Sequence, residues 1–161
     1  YYQALSWINK AIEYNSTNSK NYFNRAVILD FLNQLYFSMD DYDYSWNQKD
    51  KIEYQKNSFN LKILEIENYN LAIKYNKNYA IAYRSRGIAY EFIADRISTN
   101  DEFLNFYLEI SDEFKTFYNY SVKNNNESAY SFYNISACND WSIAASLGNV
   151  ESEKWISEDC N

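Results

Sequence analysis

Apolar side chains recur three and four positions apart along nearly the whole chain, the spacing that lays them on one side of an α-helix. In the stretch 50–75 the recurrence runs through Ile52, Phe59, Leu61, Ile63, Ile66, Tyr69, Leu71 and Ala72, and in 101–123 through Phe103, Phe106, Tyr107, Ile110, Phe114, Tyr118 and Val122. The pattern predicts helices near 2–14, 19–33, 35–48, 51–75, 79–97, 101–123, 127–147 and 150–159, eight in all, which pair into about four hairpins.

Self-similarity organises these helices. The segments KAIEYN at 10–15, LAIKYN at 71–76 and YSVKNN at 120–125 each run from a helix end into an Asn-rich turn. Fifteen residues beyond Ala11, Ala72 and Ser121 stand Ala26, Gly87 and Ser136, which close the pentads YFNRA, YRSRG and FYNIS. Small residues in step have a physical reason, because antiparallel helices come within about 8–10 Å only where no bulky side chain separates their backbones. Tyr22, Tyr83 and Phe132 are placed to fill the holes beside them.

A small–aromatic pattern spread over two antiparallel helices resembles the tetratricopeptide repeat (TPR). Ala4, Ile8 and Ala11 resemble its second helix, and Tyr22, Ala26 and Leu29 its first. The joins lie 61 and 49 residues apart rather than about 34, so helices are lengthened or inserted, and Ser16, Lys77 and Asn126 stand where the family carries a turn proline. The fold class expected is therefore all-α, with antiparallel hairpins stacked as a TPR-like α-solenoid. Residues 1–161 are expected to form a single domain of this kind, or the C-terminal part of a longer array, with 127–160 as the terminal capping hairpin. The chain opens on Tyr1, inside what resembles a repeat's second helix, so the flank of Tyr1, Tyr2 and Leu5 is expected to meet further repeats or another chain.

The resemblance also implies where a partner binds, since tetratricopeptide arrays line their concave groove with first-helix residues. Carried over position by position, these are Lys20, Phe23, Asn24, Val27 and Asp30, then Ile81, Arg84, Ser85, Ile88 and Glu91. The family's carboxylate clamp is not reproduced, because Phe23, Val27 and Ile88 occupy places that need polar donors.

Composition narrows the chemistry. Proline is absent and glycine occurs twice, at Gly87 and Gly148, so neither sheet punctuation nor a phosphate-cradling loop is available. With no histidine in the chain, the usual general base and zinc ligand are missing. The net charge of −7 opposes a phosphate backbone. The longest apolar run, 26–32, is interrupted by Asp30 and is far too short to cross a bilayer. Asp40, Asp41 and Asp43 lack the spacing and glycine of a calcium loop and read as a solvated face.

These exclusions leave a non-catalytic scaffold or adaptor, a subunit that meets protein partners within a larger assembly. It is expected to need no cofactor or metal, to bind no nucleic acid and to insert no membrane span. The alternative is a carbohydrate-binding protein that stacks exposed Tyr and Trp on sugar rings, for which the 18 Tyr and 4 Trp supply the material.

Cys138 and Cys160 flank a turn at Leu147–Asn149 at similar distances. Two readings stand side by side: a disulfide, which would imply an oxidising, extracytoplasmic setting, or two independent thiols in a cytoplasmic protein.

Overall fold

A computed structural model of the chain describes residues 1–40, 48–99 and 129–160, and the side chains of 1–35, 57–96 and 130–160. All six elements within these residues are α-helices: α1 (Tyr2–Tyr14), α2 (Ser19–Asp40), α3 (Gln48–Tyr75), α4 (Ala80–Thr99), α5 (Ala129–Ser146) and α6 (Val150–Asp159). The expected helix over 101–123, the third join at 120–125 and the carboxylates of Asp40, Asp41 and Asp43 lie outside the described residues and side chains. None of the described helices is long and apolar enough to cross a membrane.

The chain divides into two compact units, 1–86 and 87–161, with the division inside α4. In the first unit α1 packs on α2 and α2 on α3. Its core gathers Tyr22 of α2, Ala72 and Ile73 of α3 and Ala82 of α4, with Ile12, Phe23, Leu71, Tyr79 and Tyr83 around them. Of the small positions in step, Ala26 and Ala72 have no exposed surface and Ala11 is half-buried; Ala82 of α4 is fully buried as well. The expected break at residue 34 does not occur. No Gly or Pro stands there to end the helix, and Gln34 Nε2 donates to Asp30 Oδ2 one turn earlier at 2.8 Å, so α2 continues to Asp40.

In the second unit α5 and α6 form an antiparallel hairpin. Gly148 takes φ +90°, its N–H bonds to Ala145 O at 2.8 Å, and the Asn149 N–H reaches back to Ala144 O at 2.9 Å. A left-handed residue stopping a helix with these two bonds satisfies carbonyls that would otherwise be orphaned. Asn149 then caps α6, its Oδ1 accepting from Ser152 N at 3.1 Å and Ser152 Oγ at 2.9 Å. Trp141, fully buried, meets Trp155 edge to face at a centroid distance of 5.1 Å. A Cβ on Gly87 would press into the Trp141 ring, 2.7 Å from its Cδ1, so only glycine admits this indole. The sulfurs of Cys138 and Cys160 are bonded, with Cα atoms 5.7 Å apart.

Candidate functional site

The two described joins of the first unit are built alike. Asn15 ends α1 and Asn76 ends α3, each with its N–H bonded to the alanine four residues back, at 3.0 and 2.9 Å. Each then turns its side chain forward, Asn15 Oδ1 accepting from Thr17 N at 3.2 Å and Asn76 Oδ1 from Asn78 N at 3.1 Å. An Asn side chain that bonds the backbone two residues on imposes a tight turn by itself, without proline.

The likeness extends into the helices that follow. Arg25 lies over the Tyr22 ring at 5.6 Å and donates from Nη1 to Asn9 Oδ1 at 3.0 Å. Arg86 lies over the Tyr83 ring at 5.5 Å and donates from Nη1 to Asn70 Oδ1 at 2.6 Å. Shifting by 61 residues carries Asn9, Tyr22 and Arg25 onto Asn70, Tyr83 and Arg86, so the same three side chains lock both hairpins in the same way. The pentads YFNRA and YRSRG contain these Tyr and Arg residues. Their Asn partner, sixteen positions earlier, is too remote for a pentad to reveal.

On the face expected to bind a partner, Lys20 and Asn24 are exposed and Phe23, Val27 and Asp30 half-buried; of the α4 residues in this unit Ile81 is exposed and Arg84 and Ser85 half-buried. Ile88 and Glu91, both half-buried, belong to the second unit. There burial, with Asp159 and Asp95 nearby, raises the Glu91 carboxyl above its ordinary range.

Three of the expected residues converge on α3 rather than on open solvent. Phe23 packs against Tyr69 and Tyr79, with centroids 5.7 and 5.2 Å away. Asp30 Oδ1 accepts from Lys62 Nζ at 2.8 Å, and Ser85 is hydrogen-bonded to the Tyr69 hydroxyl.

The row on α3 that joins them is legible in the sequence only at Tyr69, as part of the apolar stripe, and not at Lys62 or Glu65. Lys62, Glu65 and Tyr69 are each 3% exposed. Lys62 Nζ stands 2.8 Å from Asp30 Oδ1 and 2.6 Å from Glu65 Oε2, and Glu65 is also bonded to the Tyr69 hydroxyl. One cation therefore serves two carboxylates. Burial pushes the Glu65 carboxyl up to about 7 despite Lys62, with Asp30 adding to the rise. The same burial and the two acids raise the Tyr69 phenol. Ser58 and Asn33, joined at 2.6 Å, and Asn68, which accepts from Arg25 Nε at 2.7 Å, extend the polar seam between α2 and α3.

Shifted carboxylates often mark catalytic centres. Here Lys62 and Glu65 are buried between two packed helices, while Asp30 at the edge of the network is 32% exposed. The network ties the pairing of the two helices, because a slipped register would strand a buried charge.

The sign of the Glu65 shift makes a pH prediction. An acid held at about 7 in the fold and near 4.5 when unfolded stabilises the fold fully below pH 4.5. That contribution is lost as pH rises through 7, because the unfolded chain then gives up the proton first. Glu65→Gln, a permanent mimic of the neutral acid, is expected to flatten this part of the profile. Relative to the parent it gains about 2–3 kcal/mol between pH 4.5 and 8, measured by urea unfolding at both ends. A parallel pair of profiles would contradict it.

No three His, Cys, Asp or Glu side chains among the described residues are grouped to hold a metal ion. Comparison with family models, with curated proteins and with solved structures found no match.

Proposed function

We propose that this chain is a non-catalytic protein-interaction scaffold, a divergent TPR-like α-solenoid that serves as a subunit of a larger assembly. The observation that carries this reading is the reuse of one hairpin lock, Asn9–Arg25–Tyr22 and Asn70–Arg86–Tyr83, at two joins. Helical units that repeat without chemistry of their own work by the surface they present. Lys20, Asn24 and Ile81 are the members of the expected groove with exposed side chains and are the contacts assigned to a partner.

A second reading, carbohydrate binding, draws on the exposed aromatics of α1: Tyr2 at 75%, Trp7 at 71% and Tyr14 at 95%. Two measurements separate the readings. Affinity purification from the native source, followed by light scattering of the eluted complex, is expected to give a fixed stoichiometry with one protein. Lys20→Glu with Asn24→Ala should abolish it. Retention of soluble glycans by the isolated chain, with no protein complex formed, would favour the second reading.

A further inference from the structure

The two ends of α6 are held in different ways. At its start Asn149 Oδ1 accepts from the N–H and the hydroxyl of Ser152, a residue with no exposed surface. Glu151 and Glu153 place negative charge in the first turn, where the helix dipole favours it. Trp155 then rests edge to face on the buried Trp141. Past Ile156 this support ends. Ser157, Glu158 and Asp159 are exposed, and the last turn carries two acids and no basic residue, so the dipole opposes its charge. The exposed pair Lys154–Glu158, 3.8 Å apart, offsets little of that. Asp159 also lies near enough to the half-buried Glu91 of α4 to help raise its carboxyl, so the turn is kept beside another acid. The covalent tie from this turn to α5 is the Cys138–Cys160 bond.

We infer that the Cys138–Cys160 bond is a redox-operated latch, whose reduction by a dithiol opens the last turn of α6, residues 157–160, and leaves the rest of the hairpin folded. Both cysteines are half-buried rather than enclosed, which gives a small dithiol access in the folded protein. The thiolate of the reductant attacks one sulfur, forming a mixed disulfide and expelling the other cysteine as a thiolate that takes up a proton. The second thiol of the reductant then closes its own disulfide and frees the remaining cysteine. Two electrons pass from the dithiol to the protein, which gains two thiols. The ten-residue helix is too short to persist on propensity alone, and its one fully buried residue, Ser152, lies in the first turn. Once untied, the acidic end therefore opens locally while the capped start stays anchored through Trp155.

Amide hydrogen exchange of the intact chain, before and after treatment with dithiothreitol, reads this residue by residue, with thiol titration confirming reduction. Amides 157–160, among them the Cys160 N–H now bonded to Ile156 O at 3.3 Å, are expected to exchange at least about tenfold faster after reduction, while amides 153–156 stay within about twofold. Removal of the reductant and reoxidation should restore the slow rates. Cys138→Ser with Cys160→Ser should match the reduced parent and ignore dithiothreitol. Three results would overturn the inference: a bond that dithiothreitol leaves intact in the folded protein, unchanged exchange at 157–160 after complete reduction, or protection lost together across α5 and α6, which would make the bond a staple of the whole hairpin and no latch.

Discussion

Replacing Lys62 with Met is expected to destabilise the protein by about 3–5 kcal/mol at pH 8, the largest loss from any single side chain of the α2–α3 seam. The expected size follows from what remains behind. Lys62 is enclosed, with Asp30 at 2.8 Å and Glu65 at 2.6 Å, and Glu65 itself is 3% exposed. Met fills most of the vacated volume, so the loss is electrostatic and not a cavity effect. With the ammonium gone, the buried Glu65 carboxyl faces Asp30, itself 32% exposed, with no cation between them. Glu65, already lifted to about 7 with its cation present, then stays protonated still higher. The loss should shrink at pH 4.5, where a neutral Glu65 has no charge to strand. Urea unfolding of variant and parent at both pH values reads this directly; an equal loss of under 1 kcal/mol at both would show that the seam carries no buried charge. Glu65→Gln combined with Lys62→Met should recover part of the loss at pH 8, because it removes one of the stranded charges.

Removing the bond between Cys138 and Cys160 is the second large effect. The cysteines are 22 positions apart and tie the middle of α5 to the C-terminal end of α6. Closing a loop of that size restricts the unfolded chain by about 3 kcal/mol on the chain-entropy account. Cys138→Ser with Cys160→Ser is therefore expected to lower the stability of the second unit by about that amount. In the parent, thiol titration of the denatured, unreduced protein should find no free thiol. Trp141 and Trp155, edge to face in the same hairpin, give a fluorescence signal of its unfolding. Two titratable thiols in the parent, or a double variant as stable as the parent, would contradict the expectation.

Much of the helical framework could be read from the sequence because local chemistry sets it. The end of α1 and the turn between α5 and α6 fall where the Asn-rich turn after residue 14 and the turn at Leu147–Asn149 are expected, since an Asx turn, a left-handed glycine and an N-cap are decided by one or two residues each. Boundaries without such a residue were not legible. The helix expected to end at 33 runs on because nothing near Gln34 competes with the helical hydrogen bonds.

The buried seam was illegible for a different reason. Apolar periodicity counts Lys62, Glu65 and Asn68 as surface, and along α3 it credits Leu61 and Ile63, which are half-buried, ahead of them. Only the tertiary placement of Asp30 and Arg25 opposite makes burial of those polar groups tolerable. Similarly, the expected groove was drawn by transfer from a helical pattern, and that pattern cannot foresee Phe23 folding onto Tyr69 and Tyr79 or Ser85 reaching the Tyr69 hydroxyl. Lys20 and Asn24 fill positions in that pattern whose side chains remain exposed.

The repeated lock itself lies between these cases. The Tyr and Arg of each pentad are visible in the sequence, but their common use appears only once Asn9 and Asn70 are seen to accept from Arg25 and Arg86. Paired double-mutant cycles test that shared use most directly: Arg25→Met with Asn9→Ala at the first join, and Arg86→Met with Asn70→Ala at the second, each measured by urea unfolding. A solvent-exposed hydrogen bond predicts a coupling of about 0.5–1.5 kcal/mol in both cycles, alike in size. Coupling at one join and none at the other would contradict the claim that this protein is built from copies of a single hairpin.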